Sequence, residues 1–267
     1  RWGPQLHFVY LVASDFPDER LDEFGVLHDS VLAQNTWFRK QSGGLEWRLD
    51  TFAFSWDDPA TPESDPVEVE AVDVTFLRAK RPSSELGNLN AIIDELGVNG
   101  LNQPNKRYFT YAAVDNGGVC GIARAPILPG GEPVNPDTQS DGKYSVGYLF
   151  GAAGCHGHEF APGPNTPSYV EATAQHEIVH NDAMVSPWAP HTCHLDLGLG
   201  LGHVCTSGVA LTGLDPERFD LMFPFAGLPL GEKSLDLGND DYFAHPFTWR
   251  DLDQSKYLER QANPITT

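Results

Sequence analysis

Ser168-Tyr169-Val170-Glu171-Ala172-Thr173-Ala174-Gln175-His176-Glu177-Ile178-Val179-His180 is the stretch on which the fold turns. Ser168 followed three residues later by Glu171 is the capping-box signature of a helix start. Pro167 keeps the preceding chain extended. Ala172, Ala174, Ile178, Val179 and Ala183 supply an apolar side, so the pattern predicts a helix over residues 168–181. His176 and His180 are four apart and share one face of it, within reach of a single ion. Neutral imidazole is a good zinc ligand, and zinc lowers the pKa of a water it binds. Glu177 stands beside that position, where a carboxylate can take a proton and later return it to a leaving amine. The expectation is a zinc hydrolase with Glu177 as its base.

A catalytic zinc normally has three protein ligands, and the helix supplies two. Candidates downstream are His191, His194, Asp196 and His203; His156 and His158 lie upstream. His203 is favoured because the Gly-rich run before it lets the backbone come close, and Cys205 is two residues away. His191 is a near equal, two residues from Cys193. The four cysteines lack zinc-ribbon spacing and close two loops, which reads as the disulfides Cys193–Cys205 and Cys120–Cys155 and an oxidising compartment.

Working outward, residues 6–13 form an apolar run suited to a buried strand. Residues 18–40 have helical periodicity, stopped by Gly43-Gly44. Strands are expected over 45–56, 67–77 and 107–114, and a helix over 83–96. Residues 117–143 read as loop, 144–150 as a short edge strand and 248–258 as a last helix. The order β-α-β-β-α-β predicts an α/β (α+β) sandwich: a twisted mixed sheet, two long helices and the motif helix near its edge. Residues 1–183 would form a lobe holding sheet and motif helix. Residues 184–267 would form an irregular C-terminal lobe of the same catalytic domain.

The 267 residues carry 37 Asp and Glu against 17 Lys and Arg, a net charge of −20, which argues against nucleic acid and anionic membrane surfaces as partners. No run approaches a membrane span. The chain begins at Arg1, as expected of a mature form stripped of a targeting segment. Residues 234–241, Ser-Leu-Asp-Leu-Gly-Asn-Asp-Asp, gather oxygen ligands and are a candidate calcium site, although without the EF-hand order. No Gly-x-Ser-x-Gly motif supports a serine hydrolase.

With these residues in view, the chain resembles the metzincin-type zinc endopeptidases. It is most similar to secreted bacterial metallopeptidase-like proteins with an Ala-Pro-His turn, then Gly-His-Val, then Asp-Leu-Met. Those are Ala189-Pro190-His191, Gly202-His203-Val204 and Asp220-Leu221-Met222 here. Gly118-Val119-Cys120-Gly121 and the helix end Trp37-Phe38-Arg39-Lys40-Gln41 are similar too. The resemblance implies that Met222 lies in a Met-turn beneath the metal, as packing, and that a His after the motif helix completes the site. The chain departs from the common pattern, which has Gly three residues after the second His and a ligand three further on; Ala183 and Ser186 stand there. The expected function is a secreted, monomeric zinc metalloendopeptidase acting on protein or peptide. The alternatives are a zinc amidohydrolase on a glycan or cell-wall amide, and a non-catalytic module binding surface polymers.

Overall fold

Strand β1 (Gln5–Val12) is buried along its whole length, and its alternating side chains feed two cores. Leu6, Phe8, Tyr10 and Val12 enter one; Val9 and Leu11 enter the other. A strand apolar on both faces needs cover on both, and the topology provides it. The computed structural model describes residues 3–56, 67–116, 118–124, 141–151, 155, 159–182, 185–186, 188–193, 202–205, 216–224 and 227–260.

After β1 come helix α1 (Val26–Gln41), β2 (Glu46–Trp47), β3 (Thr51–Trp56), β4 (Val67–Val72) and β5 (Val74–Arg78). Helix α2 (Leu89–Val98), β6 (Lys106–Asn116), β7 (Gly121–Ala123), β8 (Tyr144–Gly151), helix α3 (Tyr169–Asp182) and β9 (Leu258–Glu259) complete the order. The main sheet runs β5-β1-β6-β8-β7. Its first four strands are parallel, and β7 alone is antiparallel, on the outer side of β8. The fold is α/β (α+β), with a five-stranded mixed sheet and three α-helices among the described residues.

The path from β1 to β5 steps one way along the sheet, and that from β5 to β6 steps back across β1. Right-handed crossovers then put α1 and α2 on opposite faces. Leu89, Ile92 and Leu96 of α2 pack on Val9, Leu11, Tyr108 and Ala112. Leu27, Val31 and Phe38 of α1 share the other core with Val170, Ile178 and Val179 of α3. Residues beyond 184 join that second core, including Val204, Leu221, Met222, Leu230 and Tyr242, and β9 returns to pair with β2.

Several sequence expectations need correction. Helix α1 begins at Val26, eight residues after its periodicity does, because Gly25 at its N-cap sits at φ 74°, in the left-handed region a helix cannot pass through. Its end is as expected, with Gly43 and Gly44 at φ 69° and 108°. The run 45–56 divides into β2 and β3, and 67–77 divides at Asp73, so β3 and β4 form their own antiparallel pair. The edge strand is β7, from within the expected loop, and β8 is one place inside it. The last expected helix is a single 3-10 turn, Leu252–Gln254, followed by β9.

Candidate metal centre

Helix α3 starts as its capping box directs: the Ser168 N–H donates to Glu171 Oε2 at 2.8 Å. Glu171 is fully buried, and its other oxygen accepts from Ser30 of α1. A chain of buried polar side chains continues from there. Ser30 Oγ lies 3.1 Å from Tyr111 Oη, and Gln34 Nε2 donates to that hydroxyl at 2.7 Å. Gln175 Nε2 donates to Gln34 Oε1 at 3.1 Å, and Trp47 Nε1 donates to Gln175 Oε1 at 2.9 Å. This satisfied network fixes the rotation of α3 about its axis against α1 and β6. At the other end, Asn181 Nδ2 donates to the carbonyls of Arg124 and Tyr144. Asp182, a carboxylate at a helix's negative end, pairs with buried Arg107 and with Arg250.

The rotation so fixed sends His176 and His180 toward the loop that carries His203. His180 Nε2 lies 3.0 Å from His176 Nε2 and 3.2 Å from His203 Nε2. The three residues form one cluster of potential metal-ligating atoms. His176 Nδ1–H donates to the Leu221 carbonyl at 2.8 Å; a carbonyl can only accept, so the His176 Nε2 carries a lone pair toward its neighbours. Burial, then the charge of His203, presses the His176 imidazolium pKa down to about 3. Burial likewise holds His180 well below the usual histidine range. Neutral nitrogens crowded this closely suit a shared cation, and three imidazoles are a zinc donor set.

The third nitrogen is placed by the turn 220–223. Val204 N donates to the Met222 carbonyl at 3.0 Å, one residue from His203, while Leu221 holds His176. Met222 is wholly buried, and its N–H is capped by Asp220 Oδ1 at 2.7 Å. Asp220 also accepts from Tyr242 Oη and Leu237 N, and burial lifts its carboxyl to about 7. The disulfide Cys193–Cys205 closes this loop, and Cys193 N donates to the His203 carbonyl at 2.9 Å. The second disulfide joins Cys120, just before β7, to Cys155, beyond the end of β8.

His191 is not part of the triad. Its Nδ1 lies 3.1 Å from Asp241 Oδ2 and its N–H donates to Asp241 Oδ1 at 2.9 Å. Ser186 is buried, with Oγ accepting from Trp188 N at 3.2 Å. His156, His158, Ala183, His194 and Asp196 lie outside the described residues. The calcium expectation over 234–241 is not met. The Asp236 carboxylate turns inward, and its Oδ2 accepts the N–H groups of Asp241, Tyr242 and Phe243, at 3.2, 2.7 and 2.6 Å, so it serves the backbone of its own turn.

Glu177 is buried against the edge strand, and burial pushes its carboxyl up to about 8. A Cβ on Gly121 would lie 2.7 Å from Glu177 Cγ and Oε1 and 2.9 Å from Thr173 Cγ2. Gly121 is therefore the one residue type that lets β7 pass this close to Glu177, a role the sequence reading missed. A small apolar cavity adjoins, lined by Tyr111, Gly147, Leu149, Val170, Thr173 and the Cys120–Cys155 bridge.

No family model matches the sequence. No curated protein matches it either. Among solved structures the chain is similar to archaemetzincin from Methanopyrus kandleri, at 17% identity and a TM-score of 0.36, over 85% of this chain and 87% of that one. At so low an identity the chemistry has to be read from the site's own atoms.

Proposed function

We propose that the chain is a secreted zinc-dependent metalloendopeptidase, and the observation that carries this reading is the meeting of three imidazole Nε2 atoms beside a buried glutamate. His176, His180 and His203 would hold the ion. A zinc ion there supplies a Lewis acid that polarises a peptide carbonyl and acidifies a water. Glu177 accepts the proton of that water as its oxygen bonds to the carbonyl carbon. Glu177 then delivers the proton to the amide nitrogen as the carbon–nitrogen bond breaks, leaving a carboxylic acid and an amine. The Leu221 carbonyl keeps His176 in the tautomer this needs. Two disulfides support an oxidising, extracellular setting, and no described helix is long and apolar enough to cross a membrane.

The test is Glu177→Ala. It keeps its zinc, because Glu177 is not among the three nitrogens, and loses chelator-sensitive casein hydrolysis by about 10²–10⁴-fold, the range for general acid–base catalysis. Wild-type turnover in that variant would remove Glu177 from the mechanism. Bound zinc with no hydrolysis of casein or peptides by the wild type would turn the reading toward a non-peptide amide.

A further inference from the structure

His191 lies on the segment bridged to the His203 loop. Thr192 pairs with Val204, Cys193 N donates to the His203 carbonyl and Cys205 N donates to the His191 carbonyl. Opposite His191 stand two consecutive carboxylates. Asp241 is wholly buried and grips both the His191 ring and its N–H. Asp240 Oδ1 lies 3.7 Å from His191 Nδ1, and although sealed from solvent it has no hydrogen-bond partner among the described residues. One imidazole cannot balance both of these carboxylates, since even protonated it brings a single positive charge.

We propose that His191, Asp240 and Asp241 form a second divalent-metal site, separate from the His176–His180–His203 centre, and that it takes zinc. The three residues offer ligand atoms that form one cluster. Four-coordinate zinc with bonds of about 2.0–2.2 Å sets its ligand atoms roughly 3.3 Å apart. The distances from Nδ1 of 3.1 Å to Asp241 Oδ2 and 3.7 Å to Asp240 Oδ1 bracket that value. A dication gives the sealed Asp240 oxygen the partner it lacks and offsets the abutting carboxylates. The imidazole nitrogen favours a borderline metal over calcium, which prefers oxygen alone. Gly238, at φ 113°, leaves room for the Asp240 carboxylate, which a Cβ there would approach to 2.9 Å. A metal at this point would tie the segment 188–193 to residues 240–241, and through the Cys193–Cys205 bridge would steady the loop bearing His203.

The experiment is zinc counting by mass spectrometry on the full chain, stripped with chelator, reloaded and desalted. Wild type is expected to hold two equivalents. Asp240→Asn, a near-isosteric change at a partly exposed side chain, is expected to hold one, as is His191→Gln. The double variant His176→Ala/His180→Ala is expected to hold one, at the second site. One equivalent in wild type and none in that double variant overturns the second site. Two equivalents in wild type, Asp240→Asn and His191→Gln alike overturn it as well. One equivalent in wild type, retained in His176→Ala/His180→Ala and lost in Asp240→Asn, supports the second site and instead refutes the triad reading.

Discussion

In the proposed mechanism Glu177 is a buried carboxyl and a proton acceptor at once, and the two demands meet in its pKa. In the metal-free protein, burial raises it to about 8, so at pH 7 the carboxyl holds a proton. His176, at about 3, and His180, held low, hold none on the nitrogens that would meet the metal. An arriving dication favours the ionised carboxylate, so zinc binding at pH 7 should expel about one proton, drawn from Glu177 rather than from these two histidines. Affinity should accordingly rise with pH up to about 8, about tenfold per unit for one linked proton, and then level off. Calorimetry in buffers of different ionisation enthalpy reads the proton directly, and Glu177→Gln should abolish it. Release that persists in Glu177→Gln would place the proton elsewhere. Gly121 makes the second prediction at this scale. Its Cβ would fall 2.7 Å from Glu177, so Gly121→Ala should lower kcat by about 10²-fold through displacement of the base while zinc is retained. Unchanged kcat would show that β7 yields without moving Glu177. The His-Glu-x-x-His residues and the capping Glu171 were legible in the sequence because their spacing is local. Gly121 was not, because its meaning depends on Glu177, 56 residues further along the chain.

At the scale of elements, α3 is held at both ends and along its face by groups with no periodic signature. Ser168–Glu171 was readable as a cap, but the Gln175–Gln34–Tyr111 chain and the Arg107–Asp182 pair join residues far apart in sequence. Arg107 is almost wholly buried, with its guanidinium 3.9 Å from the Tyr257 ring. Among the described residues, Arg107→Met would leave Asp182 sealed with Arg250 as its one cationic neighbour, so a loss of about 3–5 kcal/mol is expected in chemical denaturation. A loss below about 1 kcal/mol would mean that Arg250 alone suffices. The strand errors have the same origin. Residues 67–77 are continuous in pattern, but Asp73 marks a change of sheet that only the tertiary partners β3 and β1 decide. Strand β7 is three residues long, too short to carry an alternation, yet it forms the edge beside Glu177.

For the whole molecule, the apolar run at residues 6–13 and the β-α-β-β-α-β order were enough to predict a mixed sheet with two long helices and the motif helix near its edge; that the helices cover opposite faces emerges only in the folded chain. The closing of the site was not visible there, because the third nitrogen arrives from a loop with no fixed distance from the motif helix. The sequence kept His191 and His203 open. In the folded chain Leu221 and Met222 tie His176 and the neighbour of His203 to one peptide turn, while the His191 ring lies against Asp241. The most direct test is a zinc-edge anomalous difference map from crystals of the intact chain. A peak about 2.0–2.1 Å from Nε2 of His176, His180 and His203 is the predicted result. Zinc bound to the chain with no density at those three nitrogens, or density shared by His176, His180 and His191 with His203 turned away, would contradict it.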